Sequence, residues 1–550
     1  MTTTVPPRQR TRPSAQAPRS SARGADEANP PAPAPSFASV LWPPGPELEA
    51  HSVPGWEPVS DPLYFADLHL DDILRSVIAG RDPYDLAPFF RQRTLDEATV
   101  RYRHEVFRDL EDPEVVDALR GAGVEMLLAR QRLVPARKGY YRYERERWFL
   151  DSAATYRGAV ATLAEALARL HLDSAALRGF AAYLADYFAS PAYETLSGDI
   201  RARLDELAEI RYRLHLEGPR VTVGHVDEGP DYGAQVLATF EKFRQGGDKE
   251  YHFADSDSFG MNHVEAAVLE RVALLFPSQF AALDAFCHRH AEFFDPVIER
   301  FDREIQFYLA YVEHMARLRS GGLSFCHPEV GPSPTPLRAI ETFDLALATI
   351  LRRDGSPVVT NDIDLSDGER IIVVSGPNQG GKTTTARTIG QLHHLAAIGV
   401  PVPGTAARIQ LVDDVFTIFE RAEVVEDLAG KLEDDLRRVY GMFRRATSAS
   451  LLIMNESFSS TTLGDQLAIN QEVLREVLRR GSICVVVTFL DELVALDRTI
   501  VSLVSSVDPD EPATRTFKVV RRPPDGLAYA MAIAEKHGLT YARISERLAR

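Results

Sequence analysis

Cysteine is nearly absent from this chain: Cys287, Cys326 and Cys484 are its three, spread over 550 positions. Their separation excludes a disulfide framework and points to a reducing compartment. Long apolar runs are missing as well. None reaches the roughly 18 residues that a membrane-spanning helix needs, so no membrane partner is expected. A basic excess is also lacking. The formal net charge of −17 excludes a chain that holds nucleic acid by overall positive charge. Any DNA contact has to come from a local basic surface or from an encircling shape. Cys287-His288-Arg289-His290 has no second half-site and matches no common zinc spacing, so it reads as ordinary packing. Lysine is outnumbered by arginine, a pattern of codon bias rather than of function.

What is present is length and apolar content. Five hundred and fifty residues, 45% of them hydrophobic, suffice for two to four domains with sizeable cores. Residues 1–60 are rich in Pro, Ala and Ser and poor in aliphatics, so they are expected to form a disordered tail. Arg8, Arg10, Arg12, Arg19 and Arg23 precede the first acid, Asp26. A transit peptide shares that bias, but the many prolines oppose the amphipathic helix it requires. Residues 61–320 read as a helical core or lever. Leu68, Leu70, Ile73, Leu74 and Val77 recur at helical spacing, as do Leu163, Leu167, Leu170 and Leu177. A charged helix pattern runs from Ile200 to Leu216. The alternation from Arg220 to Val226 then predicts a strand, opening a small insert near 217–260. Helical periodicity resumes at Val264 and continues to about Leu318. From 321 to 550 strand-like runs (Ile371–Val374, Leu451–Met454, Ile483–Val487) alternate with helices, the signature of an α/β region with a largely parallel sheet.

One stretch of that region carries chemistry. Gly376-Pro377-Asn378-Gln379-Gly380-Gly381-Lys382-Thr383-Thr384 follows an apolar run, precedes a helix and fits G-x-x-x-x-G-K-[ST]. A strand, a glycine turn and a helix N-terminus point backbone N–H groups and the helix dipole at one place, which suits phosphate. These nine residues are the expected ATP-binding set. Lys382 would neutralise β/γ charge, and Thr383 would ligate Mg²⁺ through its hydroxyl. Leu451-Leu452-Ile453-Met454-Asn455-Glu456 is an apolar run ending in two polar residues. In a P-loop enzyme the end of such a strand faces the metal and the attacking water, so Glu456 is the expected catalytic group that orients or deprotonates that water.

The Gly-Pro-Asn-x-Gly-Gly-Lys form resembles the MutS family of DNA mismatch-repair ATPases, within the wider class of ABC-type ATPases. Asn455-Glu456-Ser457-Phe458-Ser459-Ser460-Thr461-Thr462 is similar to that family's acidic pair and interface loop. Thr488-Phe489-Leu490-Asp491-Glu492-Leu493 stands at the place of its switch-histidine segment. Residues 527–539 look like its C-terminal dimerisation helices, and residues 94–102 like part of its core. The resemblance implies an ATP- and Mg²⁺-dependent, DNA-binding homodimer, joined through the ATPase region and located in a bacterial cytoplasm, associated with the nucleoid. ATP would drive a conformational clamp on abnormal or branched DNA, in mismatch repair or recombination control. The alternatives are a nucleotide-gated scaffold with little hydrolysis and an ABC-type ATPase acting on protein partners.

The departures qualify that picture. No Gly-x-Phe-Tyr-Glu segment of the family's mismatch-reading domain occurs, and the stretch before residue 62 is too short and polar to hold that domain, so an aromatic wedge at a mismatch is not expected. Asn455 stands where the family has an Asp, so the resemblance makes it the second expected metal contact beside Thr383, with one charge fewer and an amide that can still accept hydrogen bonds from metal-bound water; Phe489 or Leu490 stands where the switch His is. Residues 428–433 lack the Ser-rich character of the family's signature loop. Slow or partner-dependent hydrolysis is the expectation. For DNA, Arg137, Lys138, Tyr140 and Arg142 interleave cations with an aromatic, a mix that suits phosphate contact and base stacking. The bland alternative is a solvated helix end whose arginines pair with Glu144 and Glu146.

Overall fold

The computed structural model describes residues 37–45, 62–226, 260–420, 430–507, 515–524 and 539–548. The chain separates at Ser36 into two compact units, and every described residue lies in the second.

The described residues between 64 and 319 are mostly helix. Several helices start where a short acceptor side chain precedes a proline: Asp112 before Pro113–Lys138, Ser190 before Pro191–Ala208, and Asp295 before Pro296–Arg319. Each side chain takes a first-turn N–H, while proline fills a position whose own N–H has no partner in the helix. Asn262 and Glu265 close a capping box at the start of His263–Leu275. The two longest helices among the described residues, Pro113–Lys138 and Arg142–Arg169, are joined by residues 139–141 and pack along one another; the Ser152 hydroxyl donates to the Ala129 carbonyl at 2.6 Å.

Two expectations for this region need correction. The helix predicted through Leu216 stops at Ala208, and Tyr212–Glu217 forms an antiparallel hairpin with Arg220–His225. Tyr212, Leu214 and Leu216 alternate, and they pair with an equally alternating partner across a Gly218-Pro219 turn in which Gly218 takes φ +57°. The rest of the predicted insert, 227–259, lies outside the described residues. The second correction concerns the Pro/Ala-rich tail. Residues 37–45 are packed: Val40, Leu41 and Trp42 are buried, and the Phe37 ring meets Phe180 and Phe301, which stack on each other at 3.4 Å. Fully buried Arg103 ties this segment down, donating to Leu41 O (2.9 Å) and Ile398 O (2.8 Å), with Trp42 at 4.3 Å from its guanidinium.

The second region holds a six-stranded sheet in the order Val415–Ile418, Leu451–Asn455, Ile483–Val487, Ile371–Ser375, Ile500–Val507, Arg515–Arg521. The first five strands are parallel and the last is antiparallel. The three runs read as strands from the sequence are adjacent in it, second to fourth in that order. They are apolar throughout because both faces are covered. Ile372, Val374, Ile453 and Val485 face the helix Lys382–Ala397 and share one continuous core with the helical region. Ile371, Val373, Leu452, Met454 and Val486 face the helices Lys431–Arg445 and Leu463–Arg480. A smaller four-stranded sheet includes Arg338–Thr342 and Ala406–Gln410. Among the described residues no single helix is long and apolar enough to cross a membrane.

Gly390 lies where helix, sheet and helical region meet. A Cβ there would stand 2.6 and 2.7 Å from the two Leu68 methyls and 2.8 Å from Ile453 Cδ1. Alanine gains roughly 1 kcal/mol of helix propensity over glycine, but overpacking a filled core costs about 1–3 kcal/mol. With Leu68 and Ile453 both fully buried, overpacking wins. Gly390→Ala is expected to lower the denaturation midpoint without changing the slope of the transition; an unchanged or higher midpoint would show that the contact relaxes freely.

Candidate functional site

The central strand Ile371–Ser375 ends in Gly376, and the chain turns over residues 376–381 into the helix Lys382–Ala397. Gly376 and Gly381 adopt φ +114° and +94°, a region where only glycine is unstrained. Gly376 and Gly380 are also small because of what lies beneath. A Cβ on either would sit 2.5 Å from the Ser505 hydroxyl. That hydroxyl is fully buried and has no hydrogen-bond partner among the described residues. No side chain caps the helix at Gly381, so its first N–H groups open onto the loop, as an anion site requires.

Lys382 is only 5% exposed. Its ammonium donates to Gly376 O (2.9 Å), Pro377 O (3.3 Å) and the Asn378 side-chain oxygen (3.4 Å). Burial pushes its pKa down to about 8; the Glu456 carboxylate opposes that shift and the Arg515 guanidinium adds to it. Arg515 also donates to the Asn378 carbonyl at 3.1 Å. The Thr383 hydroxyl donates to Asn455 Oδ1 at 2.9 Å, joining the start of the helix to the end of the neighbouring Leu451–Asn455 strand. Asn378, Gln379 and Thr384 complete the loop; the first two are exposed and Thr384 is half-buried in the first helical turn.

Beyond Asn455 the backbone is bent hard. Glu456 (φ +51°) and Phe458 (φ +62°) are left-handed, as are Gln379 in the loop and Phe517, whose carbonyl lies beside Gly381. Such conformations cost about 1–3 kcal/mol each and persist where the surroundings enforce them. Here the enforcement is visible. Glu456 N–H donates to Val487 O (2.9 Å), and Phe458 N–H to buried Asp435 (3.1 Å). The half-buried Glu456 side chain is thereby held near the loop.

The helix that starts at Lys382 is wired to the helical region. One turn along, Arg387 pairs with Asp344 at 2.8 Å and reaches His69 at 3.2 Å, while His69 contacts Asp72 at 2.9 Å. Gln391 donates to both Asp344 and Leu68 O at 2.9 Å. This network, Ser505 and Asp435 were not found from sequence. Their partners are distant along the chain, and no local pattern marks them.

The four expected DNA contacts lie together around the turn at 139–141. Arg137 and Lys138 are exposed, and Tyr140 is 88% exposed. Arg142 is instead engaged by Glu146 (2.7 Å) and Asp284 (2.8 Å). The anticipated pairing with Glu146 therefore occurs, and Glu144 accepts from the Met261 N–H at 2.8 Å. Among the described residues no group of three or more His, Cys, Asp or Glu could hold a metal by itself. Of the expected signature loop at 428–433, residues 428 and 429 lie outside the described residues; Gly430 and Lys431 open the helix Lys431–Arg445. Residues 525–538, with most of the expected dimerisation segment, also lie outside.

Residues 372–542 match the family model described as MutS domain V. Endonuclease MutS2 of Gemmatimonas aurantiaca is 30% identical over 206 residues, 36% of this chain and 25% of that protein. Endonuclease MutS2 of Thermus thermophilus is 32% identical over 183 residues, 33% of this chain and 24% of that protein. DNA mismatch repair protein MutS of Halalkalibacterium halodurans is 31% identical over 195 residues, 33% of this chain and 21% of that protein. The chain thus spans a quarter or less of the length of these relatives. Its glycine loop, Asn455-Glu456 strand end and Phe489 turn all fall inside the matched region, and through that region the chain is similar to the MutS family.

Proposed function

We propose that this protein binds MgATP at residues 376–384, hydrolyses it slowly, and uses it to bias the shape of a DNA-binding homodimer. The observation that carries this reading is the contact between Thr383 and Asn455 beside the buried Lys382. It puts a hydroxyl, an amide oxygen and an ammonium at the mouth of an uncapped helix.

Each residue has a definite task there. Backbone N–H groups of 380–384 and the helix dipole take the phosphates. Lys382 turns from its own loop carbonyls to the β/γ oxygens. Thr383 and Asn455 suit Mg²⁺, a hard cation that prefers oxygen and keeps several waters; the metal would supply charge neutralisation on the phosphates. Glu456, fixed by its strained backbone, orients the attacking water. Arg387, Asp344, Gln391 and His69 would carry any shift of the loop helix into the helical region. Nucleotide can bias the conformation only as far as it binds one state better than the other.

DNA is the partner that the relatives' names suggest, with the turn at 139–141 as its first candidate contact. Affinity for homoduplex, mismatched and four-way-junction DNA, with and without ATP at two salt concentrations, tests this. The expected result is salt-sensitive binding that favours branched DNA and changes with ATP. Absence of salt-sensitive DNA binding would leave an ATPase that acts on protein partners. A second reading, a nucleotide-gated scaffold that scarcely hydrolyses ATP, is favoured by one observation: the uncharged Asn455 at the metal position.

A further inference from the structure

In this structure the Lys382 ammonium is enclosed by its own surroundings. Three oxygens of residues 376–378 accept from it, and the centroid of the Phe489 ring lies 3.8 Å from Nζ. The turn that carries this ring is anchored on both sides. Thr488 N–H donates to Val374 O at 3.1 Å, the Thr488 hydroxyl accepts from Leu490 N–H at 3.1 Å, and Leu490 and Leu493 are buried. Phe489 itself is 53% exposed. A large apolar side chain left half in water gains little from hydrophobic burial at that spot. Its close partner there is the cation, and an aromatic face so near an ammonium is attractive. Any anion entering the loop must draw Lys382 from both the carbonyls and the ring.

We propose that Phe489 is a positioning residue of the nucleotide site, whose ring locks Lys382 in a closed arrangement that a nucleoside triphosphate must open in order to bind. The proposal rests on reading residues 376–384 as the nucleotide site. Lys382 held by its own loop is a competitor of the phosphates, and the ring adds to the competitor's side. A cation–π contact of this kind shifts an equilibrium by roughly 2- to 30-fold. The half-exposed position means that the ring can be changed without opening the core.

The test is a fluorescence titration of the full chain with N-methylanthraniloyl ATP and Mg²⁺, comparing wild type, Phe489→Ala, Phe489→Leu, Phe489→Trp and Lys382→Ala. The expected result is binding about three- to tenfold tighter in both Phe489→Ala and Phe489→Leu, with faster association, and a return to wild-type affinity in Phe489→Trp, which restores an aromatic face. Unchanged or weaker binding in Phe489→Ala overturns the lock. Wild-type affinity in Phe489→Leu overturns it too, because a bulky apolar cover would then suffice without a π face. If wild type and Lys382→Ala bind equally, or no protein in the series binds, the nucleotide-site reading fails and the proposal falls with it. Circular dichroism melts of each variant separate these outcomes from misfolding.

Discussion

Lys382→Ala is expected to lower ATP affinity by at least about a hundredfold. Hydrogen bonds to charged groups contribute about 1.5–3 kcal/mol each, and a lysine that bridges two phosphates makes more than one of them; a loss near 2.7 kcal/mol is a hundredfold. The pH dependence supplies an independent check. The free protein's Lys382 titrates at about 8 because burial disfavours its charge. Below that pH the ammonium is present and affinity is level. As pH rises through about 8 the charge is lost, and affinity should fall by up to tenfold per pH unit. Lys382→Ala should show no such fall over the same range. A variant that binds as wild type does, or a wild type whose affinity is flat from about pH 7 to about 9.5, would place the phosphates elsewhere. Because the lysine also satisfies Gly376 O and Pro377 O, the comparison needs a melting curve to show that the loop's loss of these bonds has not unfolded the region.

The glycine loop could be read in the sequence because its parts are contiguous: a β-rich apolar run, glycines at fixed offsets and a helix are set by neighbours a few residues apart. Thr383 and Asn455 belong to different strand–helix units, so their contact could be anticipated only through the resemblance. Ser505 carries no signal at all. It is a small polar residue in an apolar strand, and its importance comes from two glycines packed on its hydroxyl across the sheet. The packed segment at 37–45 was hidden by composition, since Phe37, Val40, Leu41 and Trp42 form a short cluster flanked by Pro and Ala that dilute any window average. The hairpin at 212–225 was half hidden for a related reason. Its first strand is charged and exposed, so three alternating apolar residues looked like the end of the preceding helix. Phe489 shows the opposite case. The sequence marked the position as a departure, and only the geometry could show that Phe489 covers the lysine while Leu490 turns into the core.

Glu456→Gln is expected to reduce ATP turnover by about 10²- to 10⁴-fold, the usual contribution of a positioned general base, while nucleotide affinity stays within a few fold of wild type. Glutamine keeps the shape and the strained backbone, so the change removes the proton acceptor and little else. The partner experiment is Asn455→Asp. The new carboxylate would still accept from the Thr383 hydroxyl, and it would add a negative charge where Mg²⁺ and its waters are proposed to sit. Replacing a neutral acceptor by a charged one is worth roughly 1–1.5 kcal/mol more, which corresponds to about a tenfold rise in turnover if charge at this position limits the chemistry. The pair of results discriminates between the two functional readings. A hydrolytic enzyme loses turnover in Glu456→Gln and gains it in Asn455→Asp. A scaffold that only senses nucleotide has a basal rate that Glu456→Gln leaves unchanged, and equal rates in wild type and Glu456→Gln would sink the hydrolytic reading. The double variant separates the two contributions further. If the carboxylate introduced by Asn455→Asp acts by holding the metal while Glu456 handles water, the gain should largely vanish in the Glu456→Gln background, since residues that act on one step are coupled rather than additive.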